Sequence, residues 1–136
     1  MAIEVLAIHH VGVRIDPAKV DETRKFYLDV LGFSADLGRP NFSVGGDWIN
    51  VARSAQIHTM AVAGNEERFP GDPTLPHIAY AVEDIEEARL ELGKLGIRHW
   101  VSDNETARLR QVFFDDPAGN RIELHQDDAC RCAARR

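Results

Sequence analysis

Four residues that can bind a metal ion lie at matched places in the two halves of this 136-residue chain. His10 opens the run H-V-G-V-R-I and His77 opens H-I-A-Y-A-V, while His58 lies in A-Q-I-H-T-M and Glu123 lies in N-R-I-E-L-H. His10 and His77 are 67 positions apart, and His58 and Glu123 are 65 positions apart. These similar separations indicate a duplication in which both pairs lie at equivalent points. Imidazoles with one carboxylate suit Zn²⁺, Ni²⁺, Mn²⁺, Co²⁺ or Fe²⁺, whereas Ca²⁺ and Mg²⁺ prefer mostly oxygen ligands. We therefore predict one divalent transition-metal site, with either three histidines and a glutamate or two histidines and a glutamate.

A metal held in this way favours a particular kind of chemistry. A small substrate with two adjacent oxygens can displace water and chelate the ion, which then stabilises negative charge that develops on an enolate or alkoxide. Proton transfer between neighbouring carbons would also need a base at the edge of the metal.

Alternation of side chains along a strand is consistent with a shared site. Each of the four residues has apolar neighbours, so if those neighbours pack beneath helices, the four face the opposite side of the sheet. By the same alternation His9 faces away from His10 and is a poor ligand candidate. His99 and His125 lack the repeat relation, and we expect them at the surface or at the rim of a pocket.

Two arginines share the strand parity of the predicted ligands. Arg14 follows His10 on the first strand, and Arg121 precedes Glu123 on the last. Either guanidinium could reach a carboxylate or phosphonate of a substrate, and a solvated place at the sheet rim is the alternative.

The elements that position these residues form two similar modules, each read as β-α-β-β-β. Module 1 covers about 6–63, with a helix that starts near Pro17, is capped by Asp16 and stops at Gly32. A linker, 64–76, carries three prolines and two glycines and breaks both periodicities. Module 2 covers about 77–126 and ends in a hairpin across D-P-A-G-N. Its helix ends at Gly96, and the residues expected to face inward are Ile85, Ala88, Leu92 and Leu95.

The predicted fold class is therefore α+β: two tandem modules form a cupped mixed sheet around a metal site. The length favours a single domain over 1–136. With 44% hydrophobic and 28% charged residues the composition is that of an ordinary globular protein. The net charge of −6 disfavours a nucleic-acid partner, because such binding needs clustered Lys and Arg.

The ends of the chain carry weaker signals. No apolar run approaches the roughly 20 residues that span a bilayer, and the first residues have no signal-peptide features, so we predict a cytoplasmic protein without a membrane partner. The tail, 127–136, ends in R-C-A-A-R-R and is expected to be solvated. It holds Cys130 and Cys132, the only cysteines, which excludes a disulfide framework across the fold.

Several of these strings resemble the vicinal oxygen chelate superfamily, which includes glyoxalase I, fosfomycin-resistance thiol transferases, methylmalonyl-CoA epimerase, extradiol dioxygenases and bleomycin-resistance proteins. The resemblance covers residues 8–126 and lies in H-H-V-G-V-R-I, F-Y-L-D-V-L-G-F, L-P-H-I-A-Y-A-V-E-D and Q-V-F-F-D-D-P-A-G-N-R-I-E-L-H. It implies a cup around one divalent metal and a homodimer. The family's ligand positions fall on His10, His58, His77 and Glu123, and its glyoxalase-like branch implies that Glu123 also acts as the base. Glyoxalase I itself carries a second glutamate where His58 stands.

Three functions remain open from the sequence. The first is a metal-dependent lyase, isomerase or thiol transferase that acts on a small oxygen-chelating molecule. The second is an Fe²⁺ extradiol-type dioxygenase that uses two histidines and one carboxylate. The third is a metal-free binder, such as a drug-sequestering resistance protein. The cup could close within one chain or between two chains of a dimer.

Overall fold

The computed structural model of the chain describes residues 3–127. Cys130 and Cys132, and with them almost all of the predicted tail, lie outside the described residues.

Eight strands and two α-helices form the described structure. The first half contains β1 (Ala7–Ile15), a 3₁₀ turn (Pro17–Lys19), α1 (Val20–Lys25), a π-helical turn (Phe26–Val30), β2 (Ser34–Ala35), β3 (Trp48–Val51) and β4 (Ala55–Ala61). The second half contains β5 (His77–Val82), α2 (Ile85–Lys94), β6 (Trp100–Asn104), β7 (Leu109–Asp115) and β8 (Arg121–Gln126). No helix within residues 3–127 has the length and apolar character needed to cross a membrane.

All eight strands belong to one mixed sheet in the order β2-β3-β4-β1-β5-β8-β7-β6. The first strand of each half pairs in parallel with the last strand of the same half, β1 with β4 and β5 with β8. The two halves meet where β1 and β5 pair antiparallel. Each half therefore repeats the other's strand order, and the predicted α+β fold with a mixed sheet built from two β-α-β-β-β modules is confirmed.

The first helical segment begins where the sequence predicts but is not one regular helix. Asp16 caps it by accepting a hydrogen bond from the Ala18 backbone, and Gly32 ends it with a φ of +70°. The backbone of Lys19 (φ −105°, ψ 6°) departs from helical angles. The first half of the expected helix is therefore divided into a 3₁₀ turn and the short helix α1.

The second helix covers the main apolar core. Asp84 caps it by accepting from the backbone of Glu86 and Glu87. Ile85, Ala88 and Leu92 are buried, as predicted, but Leu95 is 52% exposed. The expectation for Leu95 was wrong because the helix ends at Lys94 and Leu95 is its C-cap residue. The core that α2 closes consists of Val82, Ile85, Ala88, Leu92, Val112 and Leu124.

Candidate metal centre

The structure brings three of the four predicted ligands together on adjacent strands. One ligand atom each from His10 on β1, His77 on β5 and Glu123 on β8 lies within 4.8 Å of the others. Nε2 of His10 is 3.3 Å from Nε2 of His77 and 3.5 Å from Oε1 of Glu123. Nε2 of His77 is 3.2 Å from the same Oε1. All three side chains are buried within the sheet.

Strand register explains how residues far apart in the sequence converge. Gly12 of β1 lies beside His77 of β5, and Ala79 of β5 lies beside Glu123 of β8. A Cβ atom on Gly12 would lie 2.5 Å from Cε1 of His77. The missing side chain at Gly12 therefore makes the space that the His77 imidazole occupies.

Neighbouring groups orient the two imidazoles. Nδ1 of His77 donates to the Leu75 carbonyl at 2.6 Å. Nδ1 of His10 lies 2.7 Å from Nδ1 of His9. With each Nδ1 engaged in this way, Nε2 of both rings is turned towards Glu123, which is the arrangement that outer-shell partners give to metal-binding histidines.

The carboxylate is held in the same manner. Oε2 of Glu123 accepts from Nδ1 of His125 at 3.1 Å, and Oε1 accepts from Nε2 of Gln111 at 3.3 Å. Gln111 carries no motif that would have marked it, although the β7–β8 register places it directly beside His125.

The protonation states suit a metal. Burial lowers the pKa of His10 to about 4, against the opposing effect of Glu123, so its imidazole is neutral at pH 7. Burial alone would raise the pKa of Glu123, but His10 and the close contacts of the carboxylate with His10, His125 and His77 lower it well below its ordinary value. A neutral imidazole and a carboxylate are the ligand forms that a divalent transition metal requires, so the residues present fit such an ion.

His58 lies beside the cluster but outside it. Its ring stacks on His10 at 3.9 Å on one side and on Trp48 at 4.7 Å on the other. Its Nε2 donates to Oε1 of Gln56 at 2.8 Å. The repeat relation holds, because Gly12 lies beside His58 as Ala79 lies beside Glu123. His58 is therefore not grouped with the other three, and its place as a fourth ligand stays a prediction.

Two other histidines lie nearer the cluster than the sequence indicated. A register shift between Ile8 and His10 interrupts the alternation of β1, and His9 is fully buried against His10 instead of facing away. His125 is also buried, and its ring lies 3.9 Å from that of His9. Of the two positions expected for His125, the surface is wrong, because the residue is buried and lines the cavity beside the cluster. Its two-residue spacing from Glu123 on β8 could have indicated a shared face. His99 stays apart, with Nδ1 donating to the Ile97 carbonyl.

Arg14 and Arg121 bind the linker rather than an open pocket. Arg14 donates to Oδ2 of Asp72 at 3.0 Å and to the Thr74 carbonyl at 2.8 Å. Arg121 donates to Glu67 at 2.7 Å and to Asp115 at 2.8 Å. The two arginine side chains are 2% and 1% exposed, so protein groups already occupy the donors that were predicted for a substrate.

A cavity of about 290 Å³ opens onto the cluster. His10, His77 and Glu123 form part of its lining, together with His58 and His125. The other walls are largely apolar and include Phe42, Val44, Trp48, Met60 and Leu109. A molecule in this cavity would therefore contact His10, His77 and Glu123 directly.

Comparison with known proteins places this geometry in a family. A family model described as Glyoxalase/Bleomycin resistance protein/Dioxygenase superfamily matches residues 7–124. No curated protein matches the chain.

Three solved structures illustrate the likeness of the fold. Methylmalonyl-CoA epimerase from Mycobacterium tuberculosis is 23% identical with a TM-score of 0.72, over 93% of this chain and 91% of that one. A Streptomyces coelicolor methylmalonyl-CoA epimerase variant in complex with 2-nitronate-propionyl-CoA is 16% identical with a TM-score of 0.70, over 90% and 98%. A catechol 2,3-dioxygenase is 21% identical with a TM-score of 0.64, over 90% of this chain and 42% of that one.

Proposed function

The chain belongs to the Glyoxalase/Bleomycin resistance protein/Dioxygenase superfamily, and we propose from this that it is a divalent-metal-dependent enzyme. It would act on a small oxygen-chelating substrate as a lyase, isomerase or thiol transferase. The observation that carries the proposal is the buried cluster of His10, His77 and Glu123 at the cavity. Zn²⁺, Ni²⁺, Mn²⁺, Co²⁺ and Fe²⁺ all suit two imidazoles and a carboxylate.

His10, His77 and Glu123 would hold the metal in this enzyme. When bound, the ion supplies Lewis-acid stabilisation of negative charge on the substrate oxygens. His9 and the Leu75 carbonyl keep the two imidazoles in place, so the ligands need little rearrangement. The burial of all three side chains limits their contact with bulk water.

Glu123 is the residue we propose as the base. Its carboxyl group is ionised at neutral pH and lines the cavity, so it can accept a proton from a carbon next to a substrate carbonyl. The electron pair of the broken C–H bond moves onto the carbonyl oxygen, and Glu123 then returns the proton to the neighbouring carbon, the former carbonyl carbon, while a carbonyl forms at the first. Nδ1 of His125 donates to Oε2 and keeps the carboxylate oriented between these two steps.

An activity panel tests this proposal. Protein loaded separately with Zn²⁺, Ni²⁺, Mn²⁺ and Co²⁺ would be assayed with methylglyoxal hemithioacetal, an epimerisable acyl thioester, and fosfomycin with a thiol. We expect turnover of at least one substrate, loss of that turnover in Glu123→Gln, and normal turnover in His99→Gln as the matched control. Failure of the whole panel with metal-loaded protein would contradict the proposed reaction class.

An Fe²⁺ extradiol-type dioxygenase is the second candidate. The observation that favours it is the three-residue ligand set itself, because two histidines and one carboxylate leave positions open for a substrate and O₂. Oxygen uptake by the Fe²⁺-loaded protein with catechols would select this alternative, and the absence of uptake would exclude it.

We also propose that the protein is a homodimer. Apolar side chains lie exposed on the outer face of the two central strands, where Ile8 is 48% exposed and Ile78 is 39% exposed. Phe26 and Val30, which follow α1, are also more than half exposed. Burial of such surface is the usual driving force for association of identical chains. Sedimentation velocity at micromolar concentration should show a dimer, and an active monomer would contradict this expectation.

A further inference from the structure

Arg39 has an unusual place among the arginines of the cavity. Its Nε is buried and has no hydrogen-bond partner within residues 3–127, whereas its Nη2 donates to the Val44 carbonyl at 2.8 Å. No carboxylate within residues 3–127 forms an ion pair with it. Arg68, the other arginine that lines the cavity, pairs with Asp72 at 2.9 Å.

A half-buried guanidinium that forms no direct ion pair is costly unless another group satisfies it. Burial lowers the pKa of Arg39, and the nearby charge of Asp47 opposes that effect only in part. Arginine nevertheless remains charged in proteins. Arg39 also lines the cavity, so its charge favours the entry of an anion there.

A continuous row of rings connects this guanidinium to the metal cluster. Cζ of Arg39 lies 4.9 Å from the centre of the Phe42 ring, and Phe42 lies 5.9 Å from Trp48. Trp48 stacks on His58 at 4.7 Å, and His58 stacks on His10 at 3.9 Å. An unbroken series of ring contacts thus joins the cation to His10 of the cluster.

We propose that Arg39 binds the carboxylate of a small aromatic or alicyclic acid, whose other end presents two adjacent oxygens to the metal ligands. The second half of this statement rests on the proposed function, whereas the anion site depends on Arg39 alone. One guanidinium matches one monoanionic carboxylate, which an arginine binds well. The aromatic wall matches a flat apolar body, and a cavity of about 290 Å³ limits the acid to roughly one ring with its substituents.

Calorimetric titration with two matched probes tests the assignment. 3,4-Dihydroxybenzoate carries a carboxylate opposite two adjacent oxygens, and 3,4-dihydroxybenzamide differs only in lacking the charge. Each probe would be titrated into metal-free and Co²⁺-loaded protein. We expect the acid to bind about 10- to 100-fold more tightly than the amide, because a charge-assisted hydrogen bond contributes that much.

Variants assign that preference to a residue. In Arg39→Gln the ratio of the two affinities should fall to about 1, and Arg39→Lys, which keeps the charge, should retain part of it. The matched control is Arg53→Gln, at an exposed arginine on the turn between β3 and β4, where the ratio should stay at the parent value. Urea unfolding of each variant separates a lost anion site from a lost fold.

Three results would overturn the proposal. They are equal affinity of the parent for acid and amide, a ratio that survives in Arg39→Gln, and a ratio that is lost in Arg68→Gln but kept in Arg39→Gln. Comparing the Co²⁺-loaded with the metal-free protein tests the proposed function separately from the anion site. If both probes bind no more tightly with Co²⁺ than without it, while the acid is still preferred, the metal chemistry fails and the anion site at Arg39 stands.

Discussion

Replacing Gly12 by alanine should damage the metal centre without touching a ligand. The new Cβ would lie 2.5 Å from Cε1 of His77 and 2.9 Å from both of its ring nitrogens, whereas ordinary contacts are 3.4–4 Å. The imidazole cannot move away freely, because its Nδ1 is held by the Leu75 carbonyl at 2.6 Å. Either the ring leaves its position or β1 and β5 separate locally.

The size of the effect follows from that overlap. A ring displacement of about 1 Å takes Nε2 out of the geometry that a metal needs, and disturbing the orientation of a ligand typically lowers metal affinity about 10- to 100-fold. Overpacking of a buried site also costs about 1–3 kcal/mol of folding free energy. We therefore expect Gly12→Ala to show both losses.

Titration with Co²⁺ measures the loss of metal affinity, and urea unfolding measures the loss of stability. The matched control is Gly93→Ala within α2, where a Cβ would meet no atom within 4 Å, so metal affinity should be unchanged and stability should rise by about 0.5–1 kcal/mol. In the Gly12→Ala/His77→Ala double variant the clash is absent, and alanine at position 12 should then cost less than about 0.5 kcal/mol. If Gly12→Ala binds Co²⁺ and unfolds like the parent, the account of how His77 is placed is wrong.

Three further predictions concern the surroundings of the centre. Asp72→Asn removes the buried partner of Arg14 and should lower the free energy of unfolding by about 3–5 kcal/mol in urea titrations; a loss below 1 kcal/mol would contradict the role given to this ion pair. Because the folded-state pKa of His10 is about 4 against an ordinary 6.5, the unfolded chain takes up the proton first as the pH falls, so His10 alone should cost the metal-free protein up to about 3 kcal/mol between pH 6.5 and 4. His10→Gln should make urea unfolding less dependent on pH in that window, and an unchanged slope would count against the shift. His58→Ala should keep one equivalent of metal, whereas His77→Ala should lose it. Metal analysis that finds the ion in His77→Ala but not in His58→Ala would make His58 the ligand instead of His77.

The repeat made part of the site predictable from the sequence. Duplicated strands carry equivalent residues to equivalent places, so His10, His77 and Glu123 could be expected on one sheet without a structure. The parallel pairings of β1 with β4 and of β5 with β8 are the physical basis of that expectation. The α+β fold could be predicted from the strand-like and helix-like spacing of apolar residues and from the glycines and prolines that separate the elements.

The other parts of the site could not be predicted, because they depend on structural features that leave no periodic pattern in the sequence. One register shift in β1 turned His9 towards the cluster, and alternation alone cannot reveal such a bulge. The linker folds back over Arg14 and Arg121, and its course depends on hydrogen bonds to Asp72 rather than on a sequence pattern. Arg39 lies on an irregular loop where no motif marks it. His58 was placed correctly along the strand, but stacking decides where its ring points.

The most direct measurement of the central claim is the metal content of untagged protein purified without chelators, compared with a His77→Ala/Glu123→Ala double variant and a His99→Ala control. The account predicts close to one equivalent of a transition metal in the parent and in the control, and none in the double variant. A parent protein that contains no metal and binds none on titration would contradict the account and leave a metal-free small-molecule binder as the better explanation.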